Sequence, residues 1–323
     1  MELTWGYNTK ITRYQQPVLI YNPAAGQLRR NAARILQRTT EALSRASLVP
    51  NGASSKAAGS PKLRLMPTTA PGDATRLARE AVASGADAIL VLGGDGTINE
   101  VVNGMVHSTV PLAILPAGTA NVLGMELGLG ANLDKAVSRL ADFAEQRVAV
   151  GKLCDGRGGS RHFLAMGGVG LDAKIVYDLN PGFKAWAGKF AYWTGGFSHV
   201  GQSIGQFDAR VNGGVYRCGF ALASRVRNYG GDLEIASGAS LTHDDFEIVL
   251  FEGSNPLRYV WYMAGVAAKR VQKMAGVHTI RAGRVEFVGD VHLQVDGEYA
   301  GRLPASFETV PGALTLLMPR SYR

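Results

Sequence analysis

The chain has 323 residues, an apolar fraction of 46% and a formal net charge of +8. The length points to two domains, and no stretch approaches the ~18 uninterrupted apolar residues of a membrane span. Cys154 and Cys218 stand alone and far apart, which suits a reducing compartment and excludes a thiol metal cluster. The positive charge favours anionic partners, but the 34 Lys and Arg are spread along the chain. There is neither an RNA-binding aromatic signature nor zinc-finger spacing, so no nucleic-acid partner is expected. Met1 to Gln16 is polar and aromatic with no apolar core, hence no secretory signal, and the expected location is cytoplasmic.

In chain order, Pro17 to Asn22 reads as a short strand broken by Asn22-Pro23-Ala24-Ala25-Gly26, and Leu28 to about Ala46 as a helix. Pro50 to Pro61, rich in Gly, Ala and Ser, reads as a surface loop. A strand at Lys62–Met66 runs into Thr68-Thr69, and Asp73 to Ala83 is a helix with Ala74, Leu77, Ala78 and Ala81 facing inward. The strand Ala88–Leu92 meets Gly93-Gly94-Asp95-Gly96-Thr97, followed by an apolar helical stripe of Ile98, Val101, Val102, Met105 and Val106. The spacing predicts that this helix starts at Thr97, where Thr97 and Glu100 match a capping box. A strand at Leu112–Leu115 then enters Pro116-Ala117-Gly118-Thr119-Ala120-Asn121. This succession of βα units implies a parallel sheet, and ligands of such sheets bind beyond the carboxyl ends of the strands. Glycine turns there converge backbone N–H groups on a phosphate, and Asp95 among them makes sense if a divalent cation shares the site.

Beyond about Gln146 the runs are short and β-rich: Phe163–Met166, Asp208–Val211, Cys218–Ala223, Glu247–Phe251, His278–Ile280, Val285–Phe287, His292–Val295 and Ala313–Met318. They predict a second, mostly antiparallel domain, a sandwich or distorted barrel. Two aromatic segments interrupt it. One is Phe183 to Gln202, with Trp186 and Trp193; the other is a helical stretch Leu257 to Met274 that ends in Lys269, Arg270 and Lys273. Rings of the first segment, with Lys184 and Lys189, either pack in the core or meet lipid at a membrane surface. The expected boundaries are 1–145 for the α/β domain and 146–323 for the β domain, with C-terminal strands returning to the first.

The turns together resemble the diacylglycerol-kinase catalytic family, which includes bacterial lipid kinases and sphingosine and ceramide kinases. The resemblance is carried by Tyr21–Gly26, by Gly93-Gly94-Asp95-Gly96-Thr97-Ile98-Asn99-Glu100-Val101-Val102-Asn103-Gly104, by Leu115–Asn121 and by Val295-Asp296-Gly297-Glu298. It implies a Rossmann-type α/β domain of the NAD-kinase kind with a β-sandwich partner. It also implies ATP in the cleft, held by Asn22, Pro23, Ala24, Ala25, Gly26, Thr68 (or Thr69), Gly93, Gly94, Asp95, Gly96, Thr97 and Thr119. Mg²⁺ and a lipid acceptor at the membrane surface are further implications. In this family the glutamate of the Asp-Gly-Glu motif, here Glu298, is the base for the acceptor hydroxyl, with Asp95 organising metal and phosphates. Read without the family, Asp296-Gly297 is a hairpin turn.

Three positions depart from the family pattern. His243-Asp244-Asp245-Phe246 lacks the glycine of Asp-Asp-Gly, leaving Asp244 and Asp245 as candidate metal residues or a solvated turn. Val122 follows Asn121 where aspartate is common, and Ala149-Val150 stands ahead of Gly151 where another is common. The missing acidic positions leave open a sensor that binds nucleotide or lipid without turnover, and the shared Gly-Gly-Asp-Gly leaves open a soluble-substrate kinase of the NAD-kinase type. Gly201-Gln202-Ser203-Ile204-Gly205 fits a hydrolase elbow but lacks the strand and helix that elbow needs. A homodimer through exposed strand edges is compatible with a β-rich second domain.

Overall fold

The computed structural model describes residues 13–50, 62–130, 132–171, 173–174, 204–230 and 233–322. The loop expected at 50–61, the aromatic segment Phe183 to Gln202 and Ser203 of the hydrolase-like pattern lie, apart from Pro50, outside the described residues.

In the first half, β1 (Pro17–Tyr21), β2 (Arg64–Pro67), β3 (Ala88–Gly93) and β4 (Pro111–Pro116) form a parallel sheet in the order β2-β1-β3-β4. Every residue of β3 and β4 is buried. Unbroken apolar strands of this kind occur where helices cover both faces of a sheet. The helices are α1 (Ala32–Arg45), α2 (Asp73–Ala83), α3 (Asp95–Met105), α4 (Val122–Glu126) and α5 (Leu133–Leu140). α2 buries Ala74, Leu77, Ala78 and Ala81 as its periodicity predicts.

α3 begins at Asp95, two residues before the expected start, with Gly94 in extended conformation at its N-cap. The expected capping box does not form. Thr97 instead accepts a hydrogen bond from Asn22 Nδ2 (3.2 Å), and Glu100 reaches away to α2, accepting from Gly72 N (2.9 Å) and Ala74 N (3.0 Å). Gly72 offers α2 no side-chain cap, so a neighbouring helix supplies one.

In the second half, β5 (Phe143–Asp155), β6 (Ser160–Phe163), β7 (Met166–Gly170), β8 (Phe207–Val211), β9 (Gly214–Ser224), β12 (Phe246–Glu252), β13 (Val277–Ala282), β14 (Arg284–Val288), β15 (His292–Val295), β16 (Glu298–Arg302) and β17 (Ala305–Pro319) pair antiparallel; β10 (Asn228–Gly230) and β11 (Leu233–Glu234) form a separate ribbon. Their core centres on Phe163, Phe246, Phe287 and Phe307, with ring centroids 5.3–5.7 Å apart.

The long strands β5 and β17 join the halves. They pair antiparallel over nearly their whole length, with a register shift between Val310 and Leu314, and beyond the shift β17 lies parallel to β4. The first sheet is thus completed by the chain's last strand. The helix expected to reach Met274 ends earlier, as α6 (Pro256–Ala267). Lys269 takes a left-handed conformation there, and the Lys269 and Arg270 N–H groups close back on the carbonyls of Val266 and Gly265.

Candidate active site

Three of the sequence-predicted turns meet at the carboxyl ends of β1, β3 and β4. Asn22 N donates to Leu92 O (3.1 Å), Ala117 N to Gly93 O (2.9 Å) and Gln27 N to Ala117 O (3.1 Å). The approach of the last two turns depends on glycine: a Cβ on Gly118 would stand 2.6 Å from the Cα of Gly94. Within its turn, Asn22 Oδ1 accepts from Ala24 N (2.9 Å), and Ala24, Gly26 and Thr119 lie exposed on the rim. Pro23 is half-buried and Ala25 buried. Thr68 is tied to the end of β1 through its backbone N–H, donated to Tyr21 O (2.9 Å). The Thr69 hydroxyl is donated to Asp73 Oδ2 (2.6 Å), which also accepts from the N–H groups of Thr69 and Ala70. These bonds hold the Asp73 carboxyl well below the usual carboxylate range.

Asp95 lies at the centre. Its Oδ1 atom is shut off from solvent and has no hydrogen-bond partner. Burial, then the nearby charge of Asp296, push its pKa up to about 6, against the opposing pull of the N–H groups of Val122, Asn121 and Leu123 at the start of α4.

The opposite wall comes from the end of the chain. β15 and β16 are joined by a two-residue turn, with Asp296 (φ 48°) and Gly297 (φ 77°) both left-handed and Val295 paired with Glu298. That is the geometry of a tight hairpin, so the turn reading of Asp296-Gly297 holds. The same turn carries charge to the glycines: Glu298 Oε1 lies against Gly96, where any Cβ would collide with it. The other carboxylate oxygen of Glu298 is ion-paired with Arg161 of β6. Asp296 accepts from Leu164 N, Ala165 N and Met166 N, each at 2.9 Å, and from Asn99 Nδ2 at 2.7 Å. Even so, burial raises its pKa.

Several residues of this wall are not among the sequence candidates. Asn99 of α3 is 1% exposed; its Oδ1 accepts from Arg161 (3.1 Å) and from Asn103 Nδ2 (3.1 Å). Asn103 in turn donates to the His162 carbonyl (2.8 Å) and accepts from its N–H (2.9 Å). Two asparagines four residues apart in an otherwise apolar helical stripe are a signal of a polar contact on that side of the helix, though not of its partner. Arg161 sits in a polar four-residue strand with no motif around it, and nothing in the sequence marks it.

Asp244 and Asp245 belong to another cluster. Both oxygens of Asp245 are taken by the Arg281 guanidinium, one of them at 3.1 Å from Nε. The fully buried Arg225 beneath that loop donates to the carbonyls of Leu241 (2.9 Å) and His243 (3.0 Å). Among the described residues no group of three His, Cys, Asp or Glu side chains gathers as a metal cage.

Similarity to known proteins follows the same two halves. A family model described as diacylglycerol kinase catalytic domain matches residues 16–153, and one described as YegS C-terminal NAD kinase beta sandwich-like domain matches residues 168–318. The chain is 26% identical over 315 residues to a diacylglycerol kinase of Bacillus subtilis (strain 168), covering 94% of this chain and 96% of that one. It is 28% identical over 257 residues to a diacylglycerol kinase of Staphylococcus aureus (strain bovine RF122 / ET3-1), covering 77% and 79%. Two crystal structures from Bacillus anthracis str. Sterne share the fold. One chain matches with a TM-score of 0.78 at 22% identity, covering 99% of this chain and 100% of its own length. A diacylglycerol kinase matches at 0.72 and 24%, covering 96% and 99%.

Proposed function

We propose, for a chain that belongs to the diacylglycerol-kinase catalytic family and is a lipid kinase, that the cleft transfers the γ-phosphate of ATP to a hydroxyl of diacylglycerol or a related lipid. One observation carries this reading: the Glu298 carboxylate, from the far end of the sequence, stands against Gly96 in the glycine turn. Phosphoryl transfer asks a protein for little beyond positioning, charge compensation and a carboxylate to take the hydroxyl proton. Converging turns, a half-exposed glutamate and an orphaned aspartate oxygen answer those needs.

In this reading Asn22–Gly26, Thr68, Gly93–Thr97 and Thr119 surround the nucleotide, with the N-terminal end of α3 facing its phosphates. The buried, unpartnered Oδ1 of Asp95 suits one contact to a divalent cation, and Mg²⁺ bound there would neutralise phosphate charge. Glu298 takes the proton of the acceptor hydroxyl as its oxygen bonds to the γ-phosphorus and the bond to the departing ADP breaks. Arg161 holds the second oxygen of that carboxylate, leaving Oε1 facing the turn. Asp296 and Asn99 lock the hairpin that presents Glu298. We assign nucleotide binding to residues before about 145 and the lipid to those beyond. No helix among the described residues is long and apolar enough to cross a membrane, and association with the bilayer is read as peripheral.

The test is incubation with γ-labelled ATP, Mg²⁺ and mixed micelles of a lipid panel, followed by extraction into organic solvent. Label in the organic phase supports the reading and names the acceptor. Label confined to the aqueous phase would favour a soluble-substrate kinase, and ATP binding without transfer would favour a sensor.

A further inference from the structure

α6 is apolar nearly all round, and such a helix is ordinarily buried. Here one side alone is. Tyr259 and Tyr262 face inward and fasten the helix to the end of β12, the first donating to Phe251 O and Gly253 O (3.0 Å each), the second to Glu252 O (3.2 Å). Asn255 caps its start by accepting from Leu257 N (2.9 Å). The helix is therefore firmly seated, yet its other side carries Leu257 (67% exposed), Val260 (38%) and Trp261 (50%), with Ala264 exposed beside them. At 3.6 residues per turn these positions share an arc of about 100°. The remaining large exposed apolar side chains of the described residues, Leu65, Val215, Val288 and Tyr299, lie on separate strands or their ends.

The chain beyond this stripe is basic. Lys269, Arg270 and Lys273 are all exposed within seven residues of the helix end. Glu234 pairs with Lys269 (3.6 Å) and offsets part of that charge. Arg258 is occupied on the inner side, its guanidinium over the Tyr262 ring and donating to Ala275 O (3.3 Å). Leucine and valine flanked by a half-exposed tryptophan, with cations at one end, match the boundary between acyl chains and anionic headgroups.

We propose that the outer face of α6, with the Lys269–Lys273 corner, is the surface by which this protein lies on an anionic bilayer. The assignment rests on the lipid-kinase reading, because a long-chain acceptor is confined to the membrane. It gives that reading a docking orientation set by a rigid helix of the second half.

The experiment compares wild type, Leu257→Glu/Trp261→Glu and Arg270→Glu/Lys273→Glu by sedimentation with phosphatidylcholine vesicles, with and without phosphatidylserine. Turnover is measured in parallel on a water-dispersed short-chain diacylglycerol. The wild type pellets with the anionic vesicles, and the Leu257/Trp261 variant binds them about ten-fold more weakly or worse. The Arg270/Lys273 variant loses the preference for phosphatidylserine, and short-chain turnover stays equal in all three. If a folded Leu257/Trp261 variant pellets like wild type, the proposal falls. It falls equally if that variant only converts a dimer to a monomer, since a second copy then covers this face. Should no form phosphorylate any lipid while the binding differences stand, the docking surface survives and the lipid-kinase reading does not.

Discussion

The two walls of the cleft offer opposite things. The strand-end wall (22–26, 93–97 and 116–121) is backbone and small side chains, and its one carboxylate, Asp95, has an oxygen with no partner. The facing wall is charged and saturated: Asp296 accepts four hydrogen bonds, and Glu298 is ion-paired with Arg161. The two aspartates, one of which raises the pKa of the other, are thus unlike in their bonding. The one with all its bonds made inside the protein holds the hairpin, and the one with a bond unmade is the group that the proposed reading gives to a ligand.

That contrast breaks first at Glu298. Glu298→Gln keeps size and hydrogen-bonding capacity but cannot take a proton, so turnover should fall by on the order of 10²–10⁴-fold with the melting temperature unchanged. Asp95→Ala should abolish turnover from the opposite wall. Near-normal label transfer to lipid in the glutamine variant would remove Glu298 from the role of base. Next is Gly118→Ala. Its Cβ drives apart two turns whose backbones are in contact, and a displacement of that kind costs on the order of 10²-fold in kcat/KM for ATP. A variant with an unaltered kcat/KM for ATP would mean that the turns need not touch.

Asp296→Ala probes the saturated wall. It strands three buried N–H groups, those of Leu164, Ala165 and Met166, and should cost about 3 kcal/mol or more in urea unfolding. Asp95 probes the unsaturated one by pH. Its folded pKa of about 6 lies above the ordinary aspartate value of 3.8, so the folded protein holds this proton more tightly than the unfolded chain does. The stability tied to that proton is full below pH 3.8 and is lost as pH rises through 6. The loss amounts to roughly 2–3 kcal/mol. Wild type should therefore weaken relative to Asp95→Asn between pH 4 and pH 7 in thermal melts. Millimolar Mg²⁺ with ATP at pH 7 should restore wild type alone. Parallel pH profiles would show that Asp95 is already satisfied.

What was legible in the chain was local. Apolar runs ending in glycine turns marked β1, β3 and β4, and the inward face of α2 followed from its four small or aliphatic residues. The strand-end wall is built from turns that carry their own chemistry, so its residues could be named from sequence. The facing wall depends on pairings across long sequence separations. Arg161 reaches Glu298 over 137 residues and Asn99 reaches Asp296 over 197, and no local pattern encodes either contact. β5 does not read as a strand from its sequence because Glu145, Gln146 and Arg147 interrupt its apolar residues. Nor does the sequence reveal that Arg281 lies across from Asp245.

Glu100 gives the smallest and cleanest separation between local and long-range reading. Three residues after Thr97, it reads as the closing member of a cap on its own helix; in the fold its two oxygens serve Gly72 and Ala74 at the start of α2. Glu100→Ala should cost about 1 kcal/mol, in line with the loss of a helix cap, and leave kcat unchanged. Hydrogen exchange discriminates more sharply than stability does. Faster exchange should appear at the first amides of α2, with those of α3 as protected as before, because Gly94 begins α3 without help from Glu100. Accelerated exchange at α3 instead would restore the local cap and cut the link by which one βα unit steadies the next.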